Sequence, residues 1–94
     1  MTTVATRVRR ISDLEGFDIV VTRDGHAVDV SENGLMPDYP YRKACRATHS
    51  VSDWKQSRFE RNYPGLSCNV LKEDGTVANG NTRLSNVRQS YEED

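Results

Sequence analysis

The chain has 94 residues, of which 35% are hydrophobic and 29% are charged, and its formal net charge is −1. This length suits one small domain with a single core and is too short for two domains. The near-neutral charge argues against a broadly cationic nucleic-acid coat protein. We therefore expect a single domain over residues 1–94, with residues 1–6 and 92–94 frayed.

The sequence pattern predicts neither a secretion signal nor a membrane span. The N-terminal segment has no apolar stretch followed by a small-residue cleavage pattern. No run approaches the roughly 20 apolar residues that cross a bilayer. These observations predict a cytoplasmic protein without membrane association. In a reducing compartment the two cysteines, Cys45 and Cys68, are expected to be free thiols rather than a disulfide.

The first third of the chain predicts β-structure. Residues 3–11 alternate between apolar or hydroxyl side chains and arginines, which predicts a strand or an ordered arm. Residues 17–22 are rich in β-branched side chains, and residues 27–30 resemble a returning strand. The Asp24-Gly25 pair between them provides a tight turn, so these residues predict a β-hairpin.

The middle of the chain predicts a loop followed by a helix. Residues 31–40 read as a loop, and residues 41–49 are compatible with one short helical turn. Ser50 with Asp53 three positions later is close to the capping-box pattern, which marks a helix start. The helix should run over about 51–62, because Pro64 disfavours helical geometry at the preceding residue.

The last third predicts a second hairpin and a second helix. Residues 66–71 form a strand pattern, Asp74-Gly75 supplies a turn, and residues 77–78 return. Residues 82–91 have an amphipathic helical pattern. Its apolar face consists of Leu84, Val87 and Tyr91.

These elements predict an α+β fold. We expect a mostly antiparallel sheet of four to five strands, including two Asp-Gly hairpins, packed against helices at about 51–62 and 82–91. The apolar positions of the predicted elements supply the core. The predicted core residues are Ile19, Val21, Val28, Val30, Val51, Trp54, Phe59, Leu66, Cys68, Val70, Leu84 and Val87.

Residues 39–63 stand out by charge and by aromatic content. They hold five of the seven aromatic residues of the chain. They also carry six cationic and two acidic side chains, a balance of +4 in a chain whose net charge is −1. Planar rings and guanidinium groups are common contact surfaces for bases and for other proteins. This segment is therefore the functional lead of the sequence.

The helix within this segment allows three interpretations. A projection at about 100° per residue puts Lys55 and Arg58 in the same arc as Trp54 and Phe59. The rings are then core anchors with the cationic stems along the rim, or part of a docking face, or Arg58 is buried against an acid. We expect Trp54 to be buried. The more accessible part of the patch should be Arg42, Lys43 and Arg46.

Neither metal chemistry nor catalysis is indicated. Cys45 and His49, with His26 and Cys68, offer four ligands of two types for zinc, but no paired Cys-x-x-Cys or His-x-x-x-His spacing exists. Cys45 with His49 also lacks a sequence context that activates a cysteine nucleophile. We therefore expect no cofactor and no enzymatic activity.

The sequence is most consistent with a non-catalytic binding or regulatory module that docks onto a protein partner. Small accessory proteins of bacteria and their mobile elements commonly act in this way, by analogy of size alone. The alternative is a nucleic-acid-binding protein that uses residues 39–63. An unpaired hairpin edge is also compatible with a homodimer. The candidate contact residues are Tyr41, Arg42, Lys43, Arg46, Lys55, Arg58 and Arg61.

Overall fold

The computed structural model describes residues 2–92 and shows a small α+β fold. The elements in chain order are α1 (Val4–Glu15), β1 (Asp18–Arg23), β2 (His26–Ala27), α2 (Val51–Trp54), a π-helical segment (Lys55–Phe59), α3 (Glu60–Asn62), β3 (Ser67–Leu71) and α4 (Leu84–Gln89). We call α2, the π-helical segment and α3 together the central helix. The fraying predicted for the chain ends falls partly on Met1, Glu93 and Asp94, which lie outside the described residues.

The sheet has fewer strands than predicted. Within the described residues, three strands form one antiparallel sheet in the order β2-β1-β3. The antiparallel α+β class is thus confirmed, while the predicted fourth and fifth strands are not found in this part of the chain. No helix of residues 2–92 has the length and apolar character needed to cross a membrane.

The N-terminal segment is a helix, so the predicted strand or arm over residues 3–11 is wrong. Thr3 caps α1, because its side-chain oxygen accepts a hydrogen bond from the Thr6 backbone N–H at 3.2 Å. Gly16 ends the helix in the left-handed conformation, with φ of 86°. Both ends of α1 therefore carry ordinary helix signals.

The error has a physical cause in the hydrophobic pattern of this segment. Val4, Val8 and Ile11 are spaced four and three residues apart, so the helical period is present together with the two-residue alternation. Val4 and Ile11 are both fully buried in the core. Packing of this face decides in favour of the helix, and local preference for strand is overridden.

The first predicted hairpin is confirmed, with a shorter return strand. Asp24 and Gly25 both have positive φ, 52° and 80°, as a two-residue type I′ turn requires. The last backbone bond of the return is from the Val28 N–H to the Val21 oxygen, at 2.9 Å. Val30 lies beyond it and is 59% exposed, so its predicted place in the core is wrong.

β3 pairs with the other side of β1, with Asp18 opposite Leu71. The second Asp-Gly turn follows β3, but its return is a single bridge between Leu71 and Val77 instead of a strand. The chain leaves the sheet at once because it must reach the central helix, where the Gly80 oxygen accepts from the Ser52 N–H at 3.0 Å. This departure accounts for the missing strand.

The central helix has the bounds predicted for it, residues 51–62. Ser50 and Asp53 form a complete capping box, in which each side chain accepts from the backbone N–H of the other residue at 3.1 Å. The helix stops before Pro64, as expected from the restriction that proline places on its neighbour.

The π-helical segment aligns three aromatic rings. The Glu60 N–H bonds to the oxygen of Lys55, five residues earlier. In a regular α-helix residues five apart differ by about 140° around the axis, whereas the wider π turn brings Trp54 and Phe59 to one side. Their ring centroids lie 5.9 Å apart, and those of Phe59 and Tyr63 lie 5.1 Å apart. All three rings are consequently buried.

The last helix is shorter than the predicted 82–91. α4 begins at Leu84 and ends at Gln89, and Tyr91 lies beyond it. The Tyr91 hydroxyl donates to the Leu71 oxygen and accepts from the Asp18 N–H, so it bridges β1 and β3.

The remaining predicted core residues are buried as expected, and others join them. The additional buried hydrophobic residues are Val4, Ile11, Phe17, Met36, Tyr39, Cys45, Tyr63 and Ala78.

Candidate functional site

One buried carboxylate holds the loop between β2 and α2, residues 28–50, which carries several candidate contact residues. Glu15, the last residue of α1, is 0% exposed. The Tyr39 hydroxyl donates to Glu15 Oε2 at 2.5 Å, and the Cys45 backbone N–H donates to Glu15 Oε1 at 2.8 Å. Residues 39–45 are therefore attached to α1 at both of their ends.

Two arginines supply the positive charge that this carboxylate needs. Arg58 Nη1 donates to Glu15 Oε2 and to the Lys43 backbone oxygen, each at 2.7 Å. Arg88 Nη2 donates to Glu15 Oε1 at 3.2 Å, and its Nε donates to the Glu15 backbone oxygen at 2.6 Å. A charge can be buried when it is paired and hydrogen-bonded in this way. These contacts join α1, the loop, the central helix and α4.

Tyr39 and Trp54 complete this cluster from the core side. Burial, reinforced by the Glu15 carboxylate, raises the pKa of Tyr39 above its ordinary value. The hydroxyl therefore stays protonated as a donor to Glu15, and it accepts from Trp54 Nε1 at 3.1 Å. Trp54 is 0% exposed, which confirms its predicted burial.

Arg58 combines a structural role with a place on the surface. The structure matches two of the three interpretations in part: Trp54 and Phe59 are fully buried core anchors, and Arg58 pairs with a buried acid. Its guanidinium carbon also lies 4.2 Å from the centroid of the Tyr41 ring. Asn62 Nδ2 donates to the Tyr41 hydroxyl at 3.0 Å and fixes the ring on that side. The Arg58 side chain as a whole remains 18% exposed.

A groove of about 440 Å³ opens beside Arg58, and we call it the basic groove. None of its lining residues is acidic, although the chain as a whole has a net charge of −1. Lys43, Arg46 and Arg61 are exposed, and within residues 2–92 none of the three forms an ion pair. The lining residues are Tyr41, Lys43, Ala44, Cys45, Arg46, His49, Ser57, Arg58 and Arg61.

Five of the seven candidate contact residues thus line one groove, and two do not. Arg42 is exposed on the same loop but outside the lining. Lys55 is half-buried and also lies outside the groove, where its charge acts on the thiol of Cys68 in β3. Arg42, Lys43 and Arg46 are all exposed, as predicted.

The structure also brings Cys45 and His49 together at the wall of the basic groove. Cys45 Sγ lies 3.2 Å from His49 Nδ1. Burial raises the pKa of the Cys45 thiol even though the Arg58 charge acts in the opposite direction. A cysteine nucleophile needs a lowered pKa, so this pair lacks that feature. Among the described residues, no group of three or more His, Cys, Asp or Glu side chains is placed to hold a metal ion.

Sequence reasoning missed Glu15, Arg88 and the inward role of Tyr39. The available signal was positional: Glu15 continues the spacing of Val4 and Ile11 along α1, which puts a carboxylate on an apolar helix face. Such a carboxylate requires buried partners.

Comparisons with protein-family models, with curated proteins and with solved structures found no match. The chemistry of the basic groove is therefore the basis on which a function can be argued.

Proposed function

We propose that this chain is a non-catalytic binding module that docks through the basic groove onto an acidic surface of a protein partner. One observation carries the proposal: the groove has three exposed, unpaired cations within the described chain and no acidic residue in its lining. Complementary charge of this kind steers association and fixes the register of the partner.

The three exposed cations of the basic groove lie on ordered backbone. Lys43 and Arg46 belong to the loop that Glu15 and Arg58 hold, and Arg61 belongs to the central helix. A binding surface that is ordered before it meets its partner loses less conformational entropy on association. The buried cluster therefore supports binding even where it does not touch the partner.

A protein partner is favoured over single-stranded nucleic acid because of the aromatic rings. Binding of single strands commonly relies on exposed rings on which bases stack. Four of the rings in residues 39–63 are buried, and Tyr41 is only half exposed with Arg58 over one face. The net charge of −1 also gives duplex DNA little general attraction.

The test compares two charge reversals of equal size. Arg46→Glu with Arg61→Glu alters the groove, whereas Lys72→Glu with Arg83→Glu alters two exposed cations outside it. Partners captured from host lysate by the wild-type protein are identified, and their affinities for both double variants are measured by calorimetry. We expect the groove variant to bind about tenfold more weakly or worse, and the control variant to bind normally.

Equal losses in both variants, or no loss in either, would show that the groove is not the docking surface. A single-stranded oligonucleotide is titrated in parallel at low and at physiological salt. Retention that falls steeply with salt and depends on Arg46 and Arg61 would favour the nucleic-acid alternative instead.

A further inference from the structure

The sheet has an open edge on the side of β1 that faces away from β3. β3 pairs with most of β1, but β2 pairs only with Thr22 and Arg23. The last bond on that side is from the Val28 N–H to the Val21 oxygen. Residues 18–20 therefore have a strand on one side only.

The backbone of Ile19 faces this open side. Successive residues of an antiparallel strand direct their N–H and C=O groups to opposite sides. Ile19 is two residues before Val21, so its polar groups point to the same side, where β2 has already ended. A strand edge in this state is a template for pairing with another extended chain.

A second groove, of about 540 Å³, runs along this edge between β1 and α1, and we call it the edge groove. Its wall on α1 extends from Val4 to Asp13, a distance of about 13 Å, which matches about four residues of extended chain. One end is apolar, formed by Val4, Val8, Val28 and Val30, and the other end carries Asp13 and Asp18.

The side chains of the edge groove indicate the chemistry of its ligand. Val20 and Val30 are 37% and 59% exposed, and they are two of the three large hydrophobic side chains left exposed in the described chain. Ser12 Oγ is buried there without a hydrogen-bond partner. Asp13 and Asp18 outnumber the one cation of the lining, Arg9. The occupant should be apolar in part and cationic at the acidic end.

We propose that the edge groove binds an extended peptide segment of another protein, which adds to β1 as a strand and bonds to the backbone of Ile19. Its alternating side chains contain aliphatic residues that contact Val8 and Val20. A lysine or arginine of the segment lies near Asp13 and Asp18. Main-chain bonds provide affinity in this binding mode, and the side-chain contacts provide selectivity. The basic groove has no part in this proposal.

The test uses a capped peptide with valines at one end and lysine at the other, titrated into the ¹⁵N-labelled protein. We expect chemical-shift changes at residues 18–20 and along the lining of the edge groove, with none in the basic groove. Exchange of the Ile19 amide hydrogen should slow by about tenfold or more at saturation, because it becomes hydrogen-bonded. Unchanged exchange at Ile19 in the bound state would overturn strand addition.

A second peptide separates strand addition from side-chain docking. It has the same sequence, with alternate backbone nitrogens methylated, so that its side chains remain while it loses the N–H donors to the strand edge and its methyl groups hinder close pairing. We expect the methylated peptide to bind about tenfold more weakly than the unmethylated one, or more weakly still, consistent with the loss of one or two hydrogen bonds. Equal affinity of the two peptides would overturn the proposal.

Two valine variants locate the site. Val20→Lys introduces positive charge in the edge groove, and Val77→Lys makes the same change at an exposed valine outside it. Only Val20→Lys should weaken peptide binding.

A titration of the protein alone tests for a second copy of this chain at the edge. If the chemical shifts of the edge-groove residues depend on protein concentration without peptide, a second copy occupies the edge and the partner-peptide proposal is wrong.

Discussion

Glu15 is the one fully buried charged side chain among residues 2–92. It accepts bonds from Tyr39, Cys45, Arg58 and Arg88, and no part of it is exposed. Removing the charge leaves two guanidinium groups close together without a counter-charge, whereas removing a single donor leaves the charges paired. The two kinds of change should therefore have different costs.

We expect Glu15→Gln to lower the free energy of unfolding by about 3 kcal/mol, the lower end of the range for breaking a buried ion pair. The lower end applies because the Arg58 and Arg88 side chains are 18% and 22% exposed, so that water reaches part of each charge. Urea denaturation followed by Trp54 fluorescence measures the loss.

Two tyrosine variants serve as controls for this prediction. Tyr39→Phe removes one bond to Glu15 and the acceptor of Trp54 Nε1, and should cost about 2 kcal/mol. Tyr41→Phe removes a half-buried hydroxyl that accepts from Asn62 and donates to the Ser57 backbone oxygen at 3.5 Å, and it should cost less than about 1 kcal/mol. Equal losses for Glu15→Gln and Tyr41→Phe would contradict the role given to Glu15.

Some residues of the basic groove could be predicted from the sequence, whereas the role of Glu15 could not. Tyr41, Lys43 and Arg46 stand close together in a segment of unusual charge, so composition alone identifies them. The side-chain partners of Glu15 lie between 24 and 73 positions away along the chain. Nothing local distinguishes this glutamate from an exposed one, apart from its helix position.

Among the elements, the ones predicted correctly have local signals. The central helix has a capping box and a following proline, and the first hairpin has a two-residue Asp-Gly turn. The sequence of α1 fits both a strand period and a helix period, so the prediction of a strand there is wrong. Long-range packing decides between the two. The π-helical segment also had no local signal, since it depends on where the core places Phe59.

The capping box should make the stability of the central helix depend on pH. Hydrogen bonds from the Ser50 backbone, and then from its side chain, lower the pKa of Asp53 below its ordinary value of 3.8. Because the folded-state pKa is the lower one, the stabilisation is complete above the unfolded value. It is lost as the pH falls through the folded value.

The measurement is the difference in free energy of unfolding between wild type and Asp53→Asn. This difference should be constant near neutral pH and should shrink below about pH 4. The contributions of the other carboxyl groups are the same in both proteins, so they cancel in this difference. In a Ser50→Ala background the pH-dependent part should be smaller, because one of the hydrogen bonds is gone. A difference that stays constant at acidic pH would contradict the prediction.

For the molecule as a whole, the reaction rates of the two cysteine thiols measure how often the fold opens. Both are free and buried, and burial raises the pKa of Cys68 to about 12 and that of Cys45 in the same direction. At slightly alkaline pH both thiols should therefore react with an aromatic disulfide reagent only when the structure opens. We expect slow reaction in the native state, and rapid reaction of both once urea unfolds the chain.

Single-thiol variants assign the two rates. Cys68→Ala leaves only Cys45 in the loop, and Cys45→Ala leaves only Cys68 in the sheet. Equal native-state rates would mean that one global opening exposes both. A native Cys45 that reacts as quickly as an unfolded thiol would contradict the closed loop described here.

The Glu15 cluster also has a consequence for the time course of folding. Its members come from α1, the loop, the central helix and α4, so most of the chain must be in place before the carboxylate can leave water. A partly assembled cluster would bury an unpaired charge, which is unfavourable. The cluster should therefore form after the main folding barrier and contribute little to the rate of folding. Its stabilisation acts instead on the rate of unfolding, so it prolongs the lifetime of the native grooves between one opening and the next.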